Sequence, residues 1–146
     1  MFLLDTNVVS ELRKISDGRV APGVAAWFAT VDPADCYVSP ITLMEIETGI
    51  LRIARRDILQ GNRLRIWMET DVRPQFSVRT LPIDSDVAFQ CAQLHCPDPR
   101  PDRDAWIAAT ALVHDMTVVT RNVADFSPMG VRLLNPWTAL SGHSTP

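Results

Sequence analysis

Short apolar runs alternate with helical periodicity along most of this chain. MFLL (1–4) is a compact hydrophobic run, and LDTNVVSEL then turns toward a helical segment that fades near residues 14–18. Over residues 22–31, Val24, Trp27, Phe28 and Val31 recur at spacings of three and four, which predicts a helix. CYVS (36–39) predicts a strand. SPITLMEIETGILRIAR follows it as a long helix, with Ser39 or Thr42 as its cap and Ile46, Ile50, Ile53 and Ala54 as its apolar stripe. Gly61 and Asn62 are expected to break that helix before a second one carrying Leu64, Ile66, Trp67 and Met68. Residues 78–83 read as a further strand, and Asp84 opens a helix through Val87, Ala88, Cys91 and Leu94. PDPRPDR (97–103) is a proline-rich loop, and its Asp102 is expected to cap the helix AWIAATALVH. TVVT (117–120) is the clearest strand in the chain, and VRLL (131–134) is the last.

Repeated strand–helix alternation implies right-handed crossovers and a mainly parallel central sheet flanked by helices, an α/β fold. The expectation is one domain over residues 1–137 with a short tail, 138–146. In open sheets of this kind, sites form beyond the carboxyl ends of the strands. The acids are placed accordingly. Asp5 follows the first strand directly, Glu45 lies one to two turns into the helix after the second, Asp104 opens the helix after the proline loop, and Asn122 and Asp125 follow TVVT.

Carboxylates gathered from distant positions repel one another, and a fold that collects them commonly holds hard divalent cations. Asp5, Glu45, Asp104 and Asp125 are therefore candidate metal ligands. Glu47 shares a helix with Glu45 but lies about 200° around it, so only one of the two can face the site. Glu45 is chosen. Asp102 is read as a capping residue, whereas Asp125 could serve either the site or a turn.

Composition narrows the function classes. With 146 residues and 47% hydrophobic content the chain can bury a core without staples. Three cysteines, Cys36, Cys91 and Cys96, show no CxxC spacing, so buried small thiols in a reducing cytoplasm are expected rather than a disulfide framework or zinc site. No apolar run approaches the ~18 residues that span a bilayer. The net charge of −3 argues against a general nucleic-acid-binding surface. Thirteen of the fourteen basic residues are nonetheless Arg, and Arg52, Arg55, Arg56, Arg63 and Arg65 crowd one stretch, either tracking phosphates or forming a solvated face. His95, His114 and His143 show no spacing that suggests an acid–base pair, which argues against a metal-free nuclease.

LLDTN at the start, SPITLMEIETG after a strand, DAWIAATA opening a helix and TVVTRNVADF near the end resemble the successive motifs of PIN-domain proteins. The likeness covers nearly the whole chain and is strongest to the VapC toxins, in particular their FitB-like branch, which the NPW at 135–137 also resembles. The resemblance implies a metal-dependent endoribonuclease acting as the toxin of a toxin–antitoxin pair. Asp5, Glu45 and Asp104 match the family's first three acids, as metal ligands or water-orienting groups, and Thr6 and Asn7 match the polar residues that support the first. The fourth acidic place falls near Asn122, an amide, so Asp125 could supply the missing charge or one ion could bind until RNA completes its shell. Thr120 and Arg121 would sit beside the scissile phosphate.

The implied cofactor is Mg²⁺, with Mn²⁺ as substitute, and the implied products carry 5′-phosphate and 3′-hydroxyl ends. Implied partners are an antitoxin, DNA-binding and filling the acidic groove with Arg or Lys, the RNA substrate, and a second copy in a homodimer. Trp27, Phe28, Trp67 and Met68 are apolar enough for that interface, although core packing accounts for most of them. Two alternatives stand beside this reading. A phosphatase of the haloacid dehalogenase type would need an Asp where Asn7 stands, and the only Lys is Lys14. A PIN-like module could instead bind nucleic acid or a partner with its site unused.

Overall fold

The computed structural model describes residues 1–138. Four short strands, β1 (Phe2–Leu4), β2 (Cys36–Tyr37), β3 (Thr117–Val119) and β4 (Leu133–Leu134), form one sheet in the order β2-β1-β3-β4. Every pairing is parallel, with Leu3 opposite both Tyr37 and Val118, and Val119 opposite Leu134. The connections carry eight α-helices: α1 (Thr6–Leu12), α2 (Pro22–Thr30), α3 (Pro40–Arg56), α4 (Ile58–Trp67), α5 (Arg73–Phe76), α6 (Ser85–Leu94), α7 (Asp102–His114) and α8 (Val123–Phe126). A single π-helical stretch, Met68–Val72, joins α4 to α5.

Consecutive strand residues point to opposite faces, so each strand serves two cores. Leu3 and Val118 pack with Val87, Cys91, Ile107, Ala108 and Phe126 under α6 and α7. Leu4 and Val119 pack with Val8, Ile46, Ile50, Leu64 and Met68 under α1, α3 and α4. From β1 the chain leaves toward β2, and from β3 it leaves the opposite way toward β4. The β1–β3 boundary is therefore the switch point of the sheet, where a crevice opens at the carboxyl ends.

Three expectations need correction. The long helix ends at Asp57, whose extended backbone (φ −147°, ψ 94°) stops α3 and whose carboxylate accepts from Gln60 N at 3.0 Å to cap α4. Gly61 lies inside α4, because a Cβ there would meet Ala54 Cα and Cβ at 2.6 Å; the glycine lets two helices touch and does not break one. Residues 78–83 make only one parallel bridge, Val38 to Thr80, beside β2. Leu81 N donates to the Val38 carbonyl at 2.9 Å, and Pro82 then has no N–H with which to extend the ladder. Asp102 does not cap α7 either: Pro101 occupies that position without a side-chain bond, and the exposed Asp102 carboxylate faces His95 Nε2 at 3.5 Å.

Cys36 and Cys91 are buried, and burial pushes the Cys36 thiol up to about 11. Cys96, also expected inside, is exposed. Among the described residues no helix is long and apolar enough to cross a membrane.

Candidate active site

The carboxyl edge of the sheet is built around Asp5. Leu4 ends β1, Asp5 takes an extended conformation as the N-cap of α1, and its backbone N–H still bonds to the Val119 carbonyl at 2.9 Å. The side chain, only 4% exposed, accepts from Thr6 N at 2.8 Å on Oδ1 and from Thr120 Oγ1 at 2.7 Å and Asn7 Nδ2 at 3.3 Å on Oδ2. Burial raises the Asp5 carboxyl above its ordinary range; these hydrogen bonds oppose the rise, and the charge of Glu45 adds to it.

Glu45 arrives from α3. Ser39 caps that helix through Ile41 N at 3.1 Å, and buried Thr42 reaches the Leu4 carbonyl with its hydroxyl at 3.5 Å, seating the first turn against the end of β1. Glu45, one turn later on the same face, accepts from Thr6 Oγ1 at 2.7 Å. Glu47 faces away, held by two 2.6 Å bonds from Arg65, which draw its carboxyl below the usual range.

Asp104, in the first turn of α7, is half-buried beneath this pair. Its carboxyl rises to about 6, first through burial and then through the charges of Asp5, Asp125 and Glu45. Asp104 is thus the point where all four acids meet electrostatically. Among the described residues no donor or cation reaches its carboxylate.

The remaining sequence candidates fall around this centre. Thr120 is fully buried, and its hydroxyl, besides donating to Asp5, accepts from Asn122 N at 3.0 Å and Asn7 Nδ2 at 3.4 Å. Arg121 N donates to Asn7 Oδ1 at 3.2 Å, but its guanidinium lies over the Trp137 ring, 5.1 Å from the centroid, and makes no ion pair with the acids among the described residues. Asn122 and Asp125 are exposed at the start of α8. Of the arginine stretch, Arg52, Arg55, Arg56 and Arg63 are solvated while Arg65 is tied to Glu47. His95 and His114 sit at helix ends, and His143 lies outside the described residues.

The sequence reading missed Arg103. Its guanidinium lies 3.5 Å from Glu45 Oε2, so the acids are not gathered without a basic partner. Its adjacency to Asp104 in α7 was the available signal. Trp27 and Met68, considered for an interface, are buried in the core, while Phe28 and Trp67 are half-buried along an open groove of about 640 Å³ with Leu12, Val72 and Phe76.

The donor set is all hard oxygen, which suits Mg²⁺ or Mn²⁺ and excludes a soft-ligand zinc site. Among the described residues no three such groups stand close enough to form a complete cage.

The chain as a whole has counterparts among known proteins. The chain matches the PIN domain over residues 2–127, which contain all the acids named above. It belongs to the PIN-domain family. Over 94% of its length it is 36% identical to VapC ribonuclease Y4jK of Sinorhizobium fredii, covering 98% of that protein. It is equally 36% identical to Toxin FitB of Neisseria gonorrhoeae, over 94% of this chain and 99% of that one. The crystal structure of FitAcB from Neisseria gonorrhoeae superposes with a TM-score of 0.84 at 34% identity, over 94% of this chain and 99% of that chain. FitAB bound to an IR36 DNA fragment gives 0.82 at 35% identity, over 94% and 96%. The fold, a PIN domain with an all-parallel sheet, and the kinship with VapC and FitB agree with the sequence motifs.

Proposed function

We propose that this PIN-domain chain is the toxin of a toxin–antitoxin pair, a Mg²⁺-dependent endoribonuclease of the cytoplasm. The observation that carries the reading is the half-buried Asp104 at the switch point of the sheet, whose carboxyl is raised first by burial and then by the neighbouring charges of Asp5, Asp125 and Glu45. Such mutual repulsion is relieved by a divalent cation. The naming of one relative as a VapC ribonuclease and another as a toxin supports the same reading.

Asp5, Glu45 and Asp104 would hold the ion, with Asp125 at the rim. A bound Mg²⁺ would supply charge neutralisation to an RNA phosphodiester and acidify an attacking water. The protein's own work is orientation. Thr6 fixes Asp5 through its N–H and Glu45 through its hydroxyl, while Thr120 and Asn7 turn the Asp5 carboxylate toward the crevice. Arg121, steadied on Trp137, borders the site as a cation for a neighbouring phosphate. The products carry 5′-phosphate and 3′-hydroxyl ends.

The partner is an antitoxin that binds DNA, by analogy with the FitAB complex on DNA. A homodimer of the toxin is part of the same proposal and rests on the family resemblance alone. Purified chain incubated with cellular RNA and Mg²⁺ or Mn²⁺ should cleave it, and EDTA or Asp104→Asn should stop cleavage. The absence of a complete ligand cage is the feature a non-catalytic binding module would share. Failure of the chain to bind Mn²⁺ in calorimetry would establish that second reading.

A further inference from the structure

We propose that Arg103 is the resident counter-ion of Glu45 and yields that carboxylate to the divalent cation when the site loads. This rests on the metal-dependent reading above and adds a residue to it. Both oxygens of Glu45 are engaged by the chain itself: Oε1 accepts from Thr6 Oγ1 at 2.7 Å, and Oε2 faces Arg103 at 3.5 Å. An ion that takes Oε2 therefore meets a guanidinium already there. Thr6 holds its oxygen by a short bond from a neighbouring element, whereas Arg103 holds its own by one long contact.

The neighbouring pair on the same helix shows what a permanent bridge looks like here. Arg65 grips Glu47 with two bonds of 2.6 Å, a bidentate geometry. Arg103 makes no second bond to Glu45, and its side chain remains 55% exposed against 25% for Glu45. An exposed single contact of this kind is weak and gives way readily. It is nonetheless the only ion pair made by any of Asp5, Glu45, Asp104 and Asp125 among the described residues.

The exchange leaves the acid cluster one positive charge better compensated: one monovalent side chain leaves Oε2 and one divalent ion arrives. The two cations repel at this distance, so Arg103 turns outward once the ion is in place. Anchored one residue before Asp104, its guanidinium stays at the rim of the crevice, where an RNA phosphate approaches. In the metal-free protein the same residue limits the repulsion among the acids, so Arg103 serves the site in both states.

The test is a calorimetric titration of the full chain with Mn²⁺, without RNA, for the parent, Arg103→Ala and Arg132→Ala. Arg132 pairs with Asp115 just before β3, at the opposite edge of the sheet, and controls for the loss of one positive charge. Arg103→Ala should tighten Mn²⁺ binding about three- to fivefold, the upper part of what an exposed competing pair is worth, while Arg132→Ala leaves it within about twofold of the parent. Unchanged or weaker binding by Arg103→Ala, with the parent still binding, overturns the role of Arg103 and leaves the metal-dependent function standing. Equal tightening in both variants also overturns it, as a mere effect of net charge. No binding by the parent or by Arg103→Ala removes the functional reading and this inference together.

Discussion

Thr120 Oγ1 donates to Asp5 Oδ2 at 2.7 Å, joining residues 115 positions apart across the β1–β3 boundary. A hydroxyl has one hydrogen, and here Asp5 takes it; Asn122 N and Asn7 Nδ2 fill the acceptor side. Thr120 was expected beside the scissile phosphate, but its bonding fits a residue that positions the first acid. Removing the hydroxyl removes the strongest influence that lowers the Asp5 carboxyl. Thr120→Val should therefore push that carboxyl further up, weaken Mn²⁺ binding, and cost about 1–3 kcal/mol of stability. Denaturant unfolding checks the loss of stability. A variant as stable as the parent would show that the hydroxyl does not hold the site.

Asp5 and Asp104 should respond differently to amide substitution. Asp104 accepts no bond, so Asp104→Asn removes repulsion without removing an acceptor that anything uses. Metal-free Asp104→Asn should melt above the parent at pH 8. Asp5 accepts from Thr6, Thr120 and Asn7 on two oxygens. Asp5→Asn would turn an amide NH₂ toward at least one of those donors, so it should melt at or below the parent although it too removes a repelling charge. Thermal melts in EDTA distinguish the two, and equal gains would refute the assignment of donors around Asp5.

The raised Asp104 carboxyl fixes a pH dependence. Held at about 6 against an ordinary 3.8, this group binds its proton more tightly in the folded state. Its contribution to stability is therefore fully present below about 3.8 and lost as pH rises through about 6. Asp5, raised in the same direction, acts with it. If Asp104 ligates a cation as proposed, binding has to expel its proton, so apparent Mn²⁺ affinity should fall roughly tenfold between pH 7 and pH 5. The melting temperature of EDTA-treated protein should decline from pH 5 to pH 7.5, while the rise on adding Mn²⁺ should grow over the same interval. An equal rise at both pH values would count against carboxylate ligation.

Much of this was legible in the chain because it is written in local pattern. Apolar runs at 1–4 and 117–120 sit on the central strands, and acids that follow strands or open helices fall on the carboxyl edge whatever the details of packing. Helical angle showed only that Glu45 and Glu47 could not both face one place; which of them meets Thr6 and which meets Arg65 came from the fold. What escaped depended on contacts between distant residues. Gly61 has breaker chemistry, yet it serves the approach of α3 to α4 at Ala54, which periodicity does not encode. Residues 78–83 have strand composition but lie at an edge with Pro82 in the way. Arg103 and Arg121 differ only in what faces them, Glu45 in one case and Trp137 in the other, and no spacing in the sequence reports that.

The PIN-domain resemblance implies a fourth acidic place near Asn122, and the surroundings of this amide suggest a test of that place. Its backbone N–H bonds to Thr120 Oγ1, the hydroxyl that holds Asp5, so the residue is one hydrogen bond removed from the first acid. Its side chain is exposed at the start of α8, the helix that also carries Asp125. Two ions bridging one phosphate require several carboxylates, and with an amide here Asp125 is the only acid that α8 contributes. Asn122→Asp should add the missing charge where it reinforces Asp125 and costs little, because the position is solvated. Calorimetry should then record either a second Mn²⁺ per chain or several-fold tighter binding of the first, and RNA cleavage should need less Mn²⁺ to reach its maximum. Unaltered stoichiometry and affinity would place Asn122 outside the metal site and leave Asp5, Glu45 and Asp104 to hold a single ion.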